Sequence, residues 1–266
     1  MSDQKNKRVD VLKAFLAARD GLQAAFAMYS RLPSGKGEWS SGGLRCVFCF
    51  FPLVGAVLGA FFVAVDALVR NLGGNLLTRA VVLTILPLLV TGGIHMDGFL
   101  DTADARASWQ SREKKLEILK DPHTGAFALI AGAVYLFAYL AVAGELRETA
   151  FPAAAAVFVL ERALSAWSVI HLPKARPEGL AGTFAAGADD RLVSVSLILW
   201  GVAACLFLLV SAGCLAGGCT VATALLVYIW YRHMALREFG GVTGDLAGYF
   251  LQLCELAMLA VLAVFS

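Results

Sequence analysis

Three aspartates recur at helical spacing within residues 92–106, which read GGIHMDGFLDTADAR. On an α-helix, Asp97, Asp101 and Asp104 would share one face, because positions i, i+4 and i+7 lie side by side. Their carboxylates would repel one another unless a cation neutralised them. Mg²⁺ takes hard oxygen ligands and combines one or two carboxylates with water and substrate phosphates. The spacing therefore favours a Mg²⁺ site over a solvated helix end, with His95 expected as a hydrogen-bonding neighbour rather than a ligand.

Residues 117–127, EILKDPHTGAF, have the composition of an anion site. They lead into an apolar segment, and the N–H groups at a helix N-terminus attract phosphate. Lys120 and Gly125 stand at this point of the chain. Ordinary helix capping by Asp121 or Thr124 explains the segment equally well.

Two further sets of ionisable residues are candidates for phosphate contact. Residues 172–184 place Lys174 and Arg176 among prolines and glycines, although topology charges at a membrane surface explain these cations equally well. Arg162 follows Glu161 in the middle of an apolar stretch, where ionisable groups are costly and a functional role is favoured. Neighbouring helical residues do not face each other, so these two side chains are expected to need separate partners.

A glycine-rich turn precedes the last apolar segment. Its three glycines make the turn flexible, and the N–H groups of the turn could bind an anion. Asp245 then opens the segment, and Glu255 falls on the same helical face, about 15 Å further along. The polar stripe indicates a cavity that extends inward, with an interhelical hydrogen bond by Gln252 and Glu255 as the alternative. The glycines are Gly240, Gly241 and Gly244.

The amino-acid composition of the chain that carries these residues is that of a membrane protein. Apolar residues make up 59% and charged residues 16% of the chain, against about 45–50% and about 25% in soluble domains. The net charge of +2 excludes strong electrostatic attraction to nucleic acid. The six cysteines are interpreted as small apolar residues, and the N-terminus is polar through Asp10, without a cleavable signal-peptide pattern.

Seven apolar segments approach the roughly 20 residues that a membrane-spanning helix needs. Only Gly217-Gly218 separates the fifth from the sixth, so these two could instead form a re-entrant pair. Residues 8–30 predict an amphipathic helix on the membrane or against the bundle. The fold class is therefore all-α, a polytopic integral membrane helical bundle, with 1–266 as a single membrane-embedded catalytic domain. The segments are about 46–69, 76–94, 125–143, 150–172, 192–216, 219–236 and 246–265.

Lysine and arginine are concentrated in alternate connections between these segments. Cytoplasmic loops carry the excess of positive charge, so seven spans put the N-terminus in the cytoplasm and the C-terminus outside. The polar loops 95–124, 173–191 and 237–245 would then all face the cytoplasm. We expect a multi-pass protein of the cytoplasmic (inner) membrane, in contact with lipid, with its active site on the cytoplasmic side.

Four ordered motifs resemble the cobalamin synthase family, the adenosylcobinamide-GDP ribazoletransferases. The resemblance extends from about residue 26 to 262 and includes the upstream YSRLP and FPLVGAVLG. It implies a Mg²⁺-dependent transferase in the last steps of vitamin B12 assembly. Such an enzyme joins adenosylcobinamide-GDP to α-ribazole or its 5′-phosphate and releases GMP. The four motifs are GGIHMDGFLDTADAR, LEILKDPHTGAF, ARPEGL and GGVTGD.

The resemblance also implies roles for individual residues. Asp97, Asp101, Asp104 and Asp245 are expected to be catalytic, and these four together with Glu255 are expected to bind metal. Pro122, His123 and Gln252 depart from the family pattern, and the last departure puts a metal-ligand role for position 252 in doubt. The general base, the number of metal ions and a homo-oligomeric state stay open. The expected substrate-binding residues are Lys120, Asp121, Gly125, Arg162, Arg176, Gly241, Thr243 and Gly244.

Two other classes of protein share part of this pattern. A CDP-alcohol phosphotransferase also spaces aspartates by helical turns, and this chain has its Asp97-Gly98 and Ala105-Arg106 pairs. However, Trp109–Lys115 supplies none of the further aspartates of that pattern. A transporter would explain seven spans with buried ionisable groups, but transporter sites lie near the midplane between repeats, whereas the acidic cluster here lies at a segment boundary.

Overall fold

The fold is a bundle of α-helices in the computed structural model, which describes residues 2–35, 40–176 and 186–265. The helices are α1 (Ser2–Tyr29), α2 (Ser41–Leu44), α3 (Val47–Asn71), α4 (Leu76–Thr91), α5 (Ile94–Ala107), α6 (Arg112–Ile118), α7 (Ala126–Glu145), α8 (Phe151–His171), α9 (Asp190–Ser211), α10 (Gly213–Met234) and α11 (Gly244–Phe265). A 3₁₀ turn, Glu148–Ala150, precedes α8, and a π-helical turn, Ala235–Phe239, follows α10.

Six of the described helices, α3 and α7 to α11, are long and apolar enough to cross a membrane. Helices α4 and α5 pass the same test only together, and they are bent by 96° relative to each other. The bend lies at Gly92 and Gly93, whose φ angles of 68° and 77° are left-handed values that glycine adopts without steric cost. The predicted polytopic all-α fold is confirmed, and the predicted segment 76–94 is the shorter helix α4 followed by this bend.

Helix α8 forms the centre of the bundle, and 78% of its most apolar 18-residue stretch is buried. Helix α3 packs against it so closely that backbones touch. A Cβ atom on Gly55 would overlap the carbonyl of Phe158, and one on Gly59 would lie 2.8 Å from the Cα of Ala155. Small residues permit such approach in membrane bundles, where dispersion contacts replace the hydrophobic effect.

The turn between α9 and α10 lies at Ala212-Gly213 and not at Gly217-Gly218, so the predicted boundary is wrong. Gly213 has a φ of 80° and begins α10. Gly217 lies inside α10, where a Cβ atom would be 2.8 Å from the Cα of Leu209. This glycine serves close packing against α9, and each of the two helices is long enough to span, which removes the re-entrant alternative.

The predicted N-terminal helix is confirmed and begins earlier than residue 8. It packs against α2 and α3, with Ala24 and Ala25 buried. Phe15 is 67% exposed on its outer side. Helix α1 therefore lies against the bundle and keeps an apolar residue on its free surface.

The described parts of the three polar loops lie together at one end of the bundle, where Arg106 donates to Glu238 at 3.0 Å. Val242 donates a backbone hydrogen bond of 2.8 Å to the carbonyl of Pro173. Arg45 forms an ion pair of 3.4 Å with Asp189. At the opposite end, Arg79 donates to the carbonyl of Leu146 at 2.5 Å. This arrangement confirms that the loops share a side, as the charge pattern predicts.

Candidate active site

Helix α5 crosses α11 with the two backbones in contact. A Cβ atom on Gly98 would lie 2.8 Å from the Cα and carbonyl oxygen of Asp245. One on Gly248 would lie 3.0 Å from the carbonyl oxygen of His95. The crossing brings Asp245, in the first turn of α11, against the helix that carries the acidic face.

Four carboxylates are neighbours as a result of this crossing. The predicted placement of Asp97, Asp101 and Asp104 on one helix is confirmed by α5. Burial disfavours the charged form of the Asp101 carboxyl, and the neighbouring charges of Asp97, Asp245 and Asp104 disfavour it further. Asp97 is exposed, whereas the other three are half-buried. The arrangement concentrates negative charge at a surface that a cation or a metal-bound substrate can reach.

The carboxylate of Asp104 lies against the start of α7. A Cβ atom on Gly125 would overlap both oxygens of this carboxylate. Gly125 is the N-cap residue, and no side chain of the described residues caps this helix, so the alternative of capping by Asp121 or Thr124 is wrong. A carboxylate is favoured at this end, because the helix dipole is positive there.

Lys120 and Asp121 lie at the solvent-exposed edge of the same region. The backbone N–H of His123 donates to Asp121 at 3.0 Å, and its ring Nδ1 lies 2.7 Å from the same oxygen. These contacts lower the pKa of the Asp121 carboxyl. Lys120 has no ion-pair partner among the described residues, so its predicted role in phosphate binding stays a prediction.

The segment that ends in Arg176 is joined to the glycine-rich turn by an isolated parallel bridge between Lys174 and Val242. Gly241 donates its N–H to Ala235 at 3.1 Å, and a Cβ atom on it would overlap the carbonyl of Pro173. The expectation of a flexible anion cradle is wrong for this part of the turn, because its N–H groups are already used. Lys174 donates to the carbonyl of Leu172 at 2.7 Å, and burial lowers its pKa.

Arg176 is the cation that the structure brings to the carboxylates. Its guanidinium interacts favourably with Asp245. Its Nε and Nη2 atoms are buried and have no hydrogen-bond partner among the described residues. Thr243 accepts from the N–H of Leu246 at 3.2 Å and donates to Asp245 at 3.4 Å, so it holds the start of α11. Buried guanidinium donors without partners are suited to an anion.

Arg162 lies deeper, and its side chain is fully buried. It pairs with the adjacent Glu161 and donates to the carbonyl of Phe158 at 3.0 Å. The expectation of separate partners is therefore wrong, because the long side chain of arginine turns back to its neighbour. Glu255, 1% exposed, interacts with both residues. It lies ten residues beyond Asp245, about 15 Å along the helix, so its metal role stays a prediction.

His95 lies between the deep group and the surface. Its ring is 6.1 Å from that of Tyr29 and 5.8 Å from that of Phe51. Both ring nitrogens are buried without a hydrogen-bond partner in the described part of the chain, so the expected hydrogen bonds of His95 are not present there. It interacts unfavourably with the charge of Arg162.

Mg²⁺ fits the donors at this end of the bundle in a particular way. No three His, Cys, Asp or Glu side chains of the described residues form a group that could hold a metal ion by themselves. Asp97 and Asp104 are seven residues apart, about 10 Å along the helix, which is too far for one ion. Mg²⁺ requires only one or two carboxylates when substrate phosphates complete its coordination. The carboxylate set is compatible with metal that arrives with a phosphorylated substrate.

A salt-bridge network that the sequence analysis missed holds α5 in place. Arg106 donates to Glu238 at 3.0 Å and to the hydroxyl of Tyr249 at 2.9 Å. Lys115 donates to Glu238 at 2.9 Å. The only signal in the sequence is that Arg106 ends the acidic motif, since Glu238 lies 132 residues away. The network fixes the end of α5 against the π-helical turn.

Comparison with known proteins gives a consistent result. A protein of Lachnoclostridium phytofermentans named adenosylcobinamide-GDP ribazoletransferase is 43% identical over 238 residues, which cover 89% of this chain and 90% of the relative. Proteins of the same name from Roseiflexus sp. and Clostridium botulinum (strain Alaska E43) are 34% and 27% identical, over 82% and 92% of this chain and 78% and 98% of their own lengths. No solved structure matches the chain.

The family comparison covers both the bundle and the site. The sequence model described as cobalamin-5-phosphate synthase matches residues 21–263. This range includes α5, all but the last two residues of α11 and every described residue of the acidic cluster. The chain belongs to the cobalamin-5-phosphate synthase family, CobS.

Proposed function

We propose that this chain is a Mg²⁺-dependent adenosylcobinamide-GDP ribazoletransferase, as its relatives are named. It would transfer the adenosylcobinamide-phosphate group to α-ribazole or α-ribazole 5′-phosphate and release GMP. The observation that supports this reaction is the meeting of four carboxylates with the unpaired donors of Arg176 at one end of the bundle. A pyrophosphate that enters with metal complements both halves of this site.

The reaction is a displacement at phosphorus. The 3′-hydroxyl of the acceptor attacks the phosphorus that carries the cobinamide linker, a new P–O bond forms, and the P–O bond to the GMP leaving group breaks. The hydroxyl proton passes to a carboxylate, either Asp245 or Asp104. Positioning and charge stabilisation dominate such transfers. One or two of the carboxylates of Asp97, Asp101, Asp104 and Asp245 would hold each Mg²⁺ ion together with substrate phosphates, and the metal would supply neutralisation of the pyrophosphate charge.

The basic side chains would have different roles in binding the substrate. Arg176 would hold phosphate oxygens of the donor through its two free N–H groups. Lys120, exposed at the rim, would meet the nucleotide side. Arg162 pairs with Glu161 through Nη1, and its Nε and Nη2 atoms have no partner among the described residues. Phosphate contact deeper in the site therefore stays its proposed role.

We expect the chain to lie in the cytoplasmic (inner) membrane with its N-terminus and this end of the bundle in the cytoplasm. The basis is the excess of lysine and arginine in the connections at this end. Nucleotide-activated donors are cytoplasmic molecules, so a site at this end is accessible to them.

The direct test is an assay of purified protein in lipid with adenosylcobinamide-GDP, each acceptor and Mg²⁺. We expect GMP and a complete corrinoid in equal amounts, and no turnover after chelation of divalent metal. Asp97→Asn should reduce turnover by at least about 100-fold, because charge-stabilising groups in transfer sites contribute on that scale. Near-normal turnover of this variant at saturating Mg²⁺ would contradict the assignment of Asp97. Release of CMP from a CDP-alcohol, or transport without chemical change, would favour the alternative classes.

A further inference from the structure

An open pocket of about 590 Å³ adjoins the acidic face of α5. Its size lies within the range of about 300–1,000 Å³ that is typical of small-molecule sites. The wall is largely apolar, and Asp97 and Arg31 supply its charges. The pocket therefore reaches the proposed metal site through Asp97, and Arg31 supplies a cation to its wall. The lining residues that matter here are Met28, Arg31, Leu88, Met96, Asp97 and Leu100.

The chain around Arg31 is built to hold this side chain at the pocket. Tyr29 packs on Phe51 with ring centroids 4.2 Å apart. The hydroxyl of Ser30 donates to the carbonyl of Phe26 at 2.7 Å and accepts from the N–H of Leu32 at 3.3 Å, which ends α1. The N–H of Arg31 donates to the carbonyl of Val90 at 2.8 Å. Three successive residues thus fix the backbone from which the guanidinium projects.

The bend between α4 and α5 also contacts the side chain of Arg31. The side chain of Arg31 lies over Gly92, where a Cβ atom would be 2.8 Å from Cγ and 2.9 Å from Cδ and would overlap Nε. The neighbouring Gly93 has a similar φ but has no atom within 4 Å of a Cβ position. Among the described residues, the guanidinium of Arg31 has no hydrogen-bond or ion-pair partner. Its donors are free toward the pocket.

We infer that this pocket binds the phosphorylated acceptor nucleoside, with its aromatic base against the apolar wall and its phosphate monoester on Arg31. The inference rests on the proposed function and names the acceptor subsite of that reaction. A guanidinium group is suited to phosphate oxygens. Among the described residues that line the pocket, Arg31 is the positively charged one. The family description, which names a 5-phosphate product, is consistent with an acceptor that already carries this group.

The test compares two acceptors that differ only in this phosphate. Turnover is measured with α-ribazole and with α-ribazole 5′-phosphate at saturating adenosylcobinamide-GDP. Arg31→Ala should raise KM for the phosphorylated acceptor by about 10–100-fold, the loss expected for a charge-assisted contact. KM for the unphosphorylated acceptor should change by less than about twofold, and so should that of the donor. Arg31→Lys should recover part of the loss, because it keeps the charge without the fork.

Two glycine variants provide a matched pair. Ala at Gly92 or Gly93 meets the same left-handed backbone strain, but only Gly92→Ala displaces Arg31. We expect Gly92→Ala to lower the preference for the phosphorylated acceptor and Gly93→Ala to retain it. Arg147→Ala, which removes an exposed charge far along the sequence, should leave both KM values unchanged.

Three outcomes would overturn the inference. These are an equal loss with both acceptors in Arg31→Ala, a selective rise in KM for adenosylcobinamide-GDP, and a wild-type enzyme that accepts only the unphosphorylated nucleoside. If no GMP forms at all, the proposed function fails. Equilibrium dialysis of α-ribazole 5′-phosphate against wild type and Arg31→Ala then still tests the pocket, since binding needs no turnover, and equal binding by both proteins contradicts it.

Discussion

At the scale of residues, the site contains two kinds of basic side chain. Some donate hydrogen bonds to protein groups, and others keep N–H donors without a partner among the described residues. Arg106 and Lys174 are committed to protein groups, whereas Arg176 retains buried N–H groups without a partner among the described residues. Unsatisfied buried donors are costly, by about 1–3 kcal/mol each. Their presence beside carboxylates is therefore an argument for a ligand and not for stability. In the pair Glu161 and Arg162 the charges compensate each other through Nη1, but Nε and Nη2 of Arg162 are likewise buried without a partner among the described residues.

Gly125→Ala tests the placement of one carboxylate without changing any charge. The new Cβ would occupy the space of the Asp104 oxygens, so that carboxylate must move. Misplacement by about 1 Å can reduce turnover by about 100-fold, and we expect a loss of at least tenfold on that basis. The measurement is GMP release in lipid, with protein content and thermal unfolding checked in parallel.

Gly144→Ala is the matched control in the same helix. Its Cβ would meet only the Cβ of Ala80, at an ordinary 3.7 Å. Its turnover should stay near that of wild type. Equal turnover of Gly125→Ala and Gly144→Ala would show that the position of Asp104 does not matter to the reaction.

At the scale of elements, the crossing of α5 and α11 is what assembles the site. Helix α5 supplies three of the carboxylates and α11 supplies Asp245. Their backbones touch because Gly98 and Gly248 lack side chains. The Arg106 network then fixes the far end of α5. A 14-residue helix is too short to span a membrane by itself, so α5 can run across the end of the bundle and present its acidic face there.

Gly98→Ala tests the crossing. The added methyl group would lie 2.8 Å from backbone atoms of Asp245, and backbone cannot give way as a flexible side chain does. Overpacking of this kind costs about 1–3 kcal/mol, so we expect a lower unfolding temperature together with a loss of GMP release. Gly201→Ala in α9, where no atom lies within 4 Å of the Cβ position, should not lower stability, because alanine is the better helix former. Normal turnover of Gly98→Ala would mean that the close crossing is not required.

At the scale of the whole molecule, the bundle separates two ends of different chemistry. The described parts of the three polar loops meet at one end, and the turn between α9 and α10 lies at the other. Asp66 and Arg79 form a buried ion pair near that second end, where Arg79 also holds the carbonyl of Leu146. Breaking such a pair is costly when one charge is left alone in a low-dielectric interior, so these residues are assigned to the stability of the fold.

Labelling of engineered cysteines tests this separation. Lys120 and Arg191 are exposed at the loop end, and Glu148 is exposed at the other. In a background with Cys214→Ser, Lys120→Cys and Arg191→Cys should react with a membrane-impermeant thiol reagent in inverted vesicles. Glu148→Cys should react only in right-side-out vesicles, because the reagent does not cross the bilayer. Reaction of all three from the same side would contradict the proposed topology.

Properties that depend on composition and on helical period could be predicted from the amino-acid sequence alone. Hydropathy predicted the spanning helices because lipid requires about 20 apolar residues in each. The charge pattern predicted that 95–124, 173–191 and 237–245 share a side. The 3.6-residue period predicted the common face of the acidic residues. These features are local or summed along the chain, so they need no knowledge of which helices touch.

The contacts between residues of distant segments depend on how the helices pack and became known from the structure. Asp245 reaches the acidic face because two glycines let α5 and α11 touch, and Asp104 lies against Gly125 for the same reason. Residue spacing likewise could not predict the 96° bend, the pairing of Glu161 with Arg162 or the contact of Arg31 with Gly92. The physical reason is that close contacts in a membrane bundle depend on the shape of facing helices, and the hydrophobic pattern that identifies those helices carries no information about their partners.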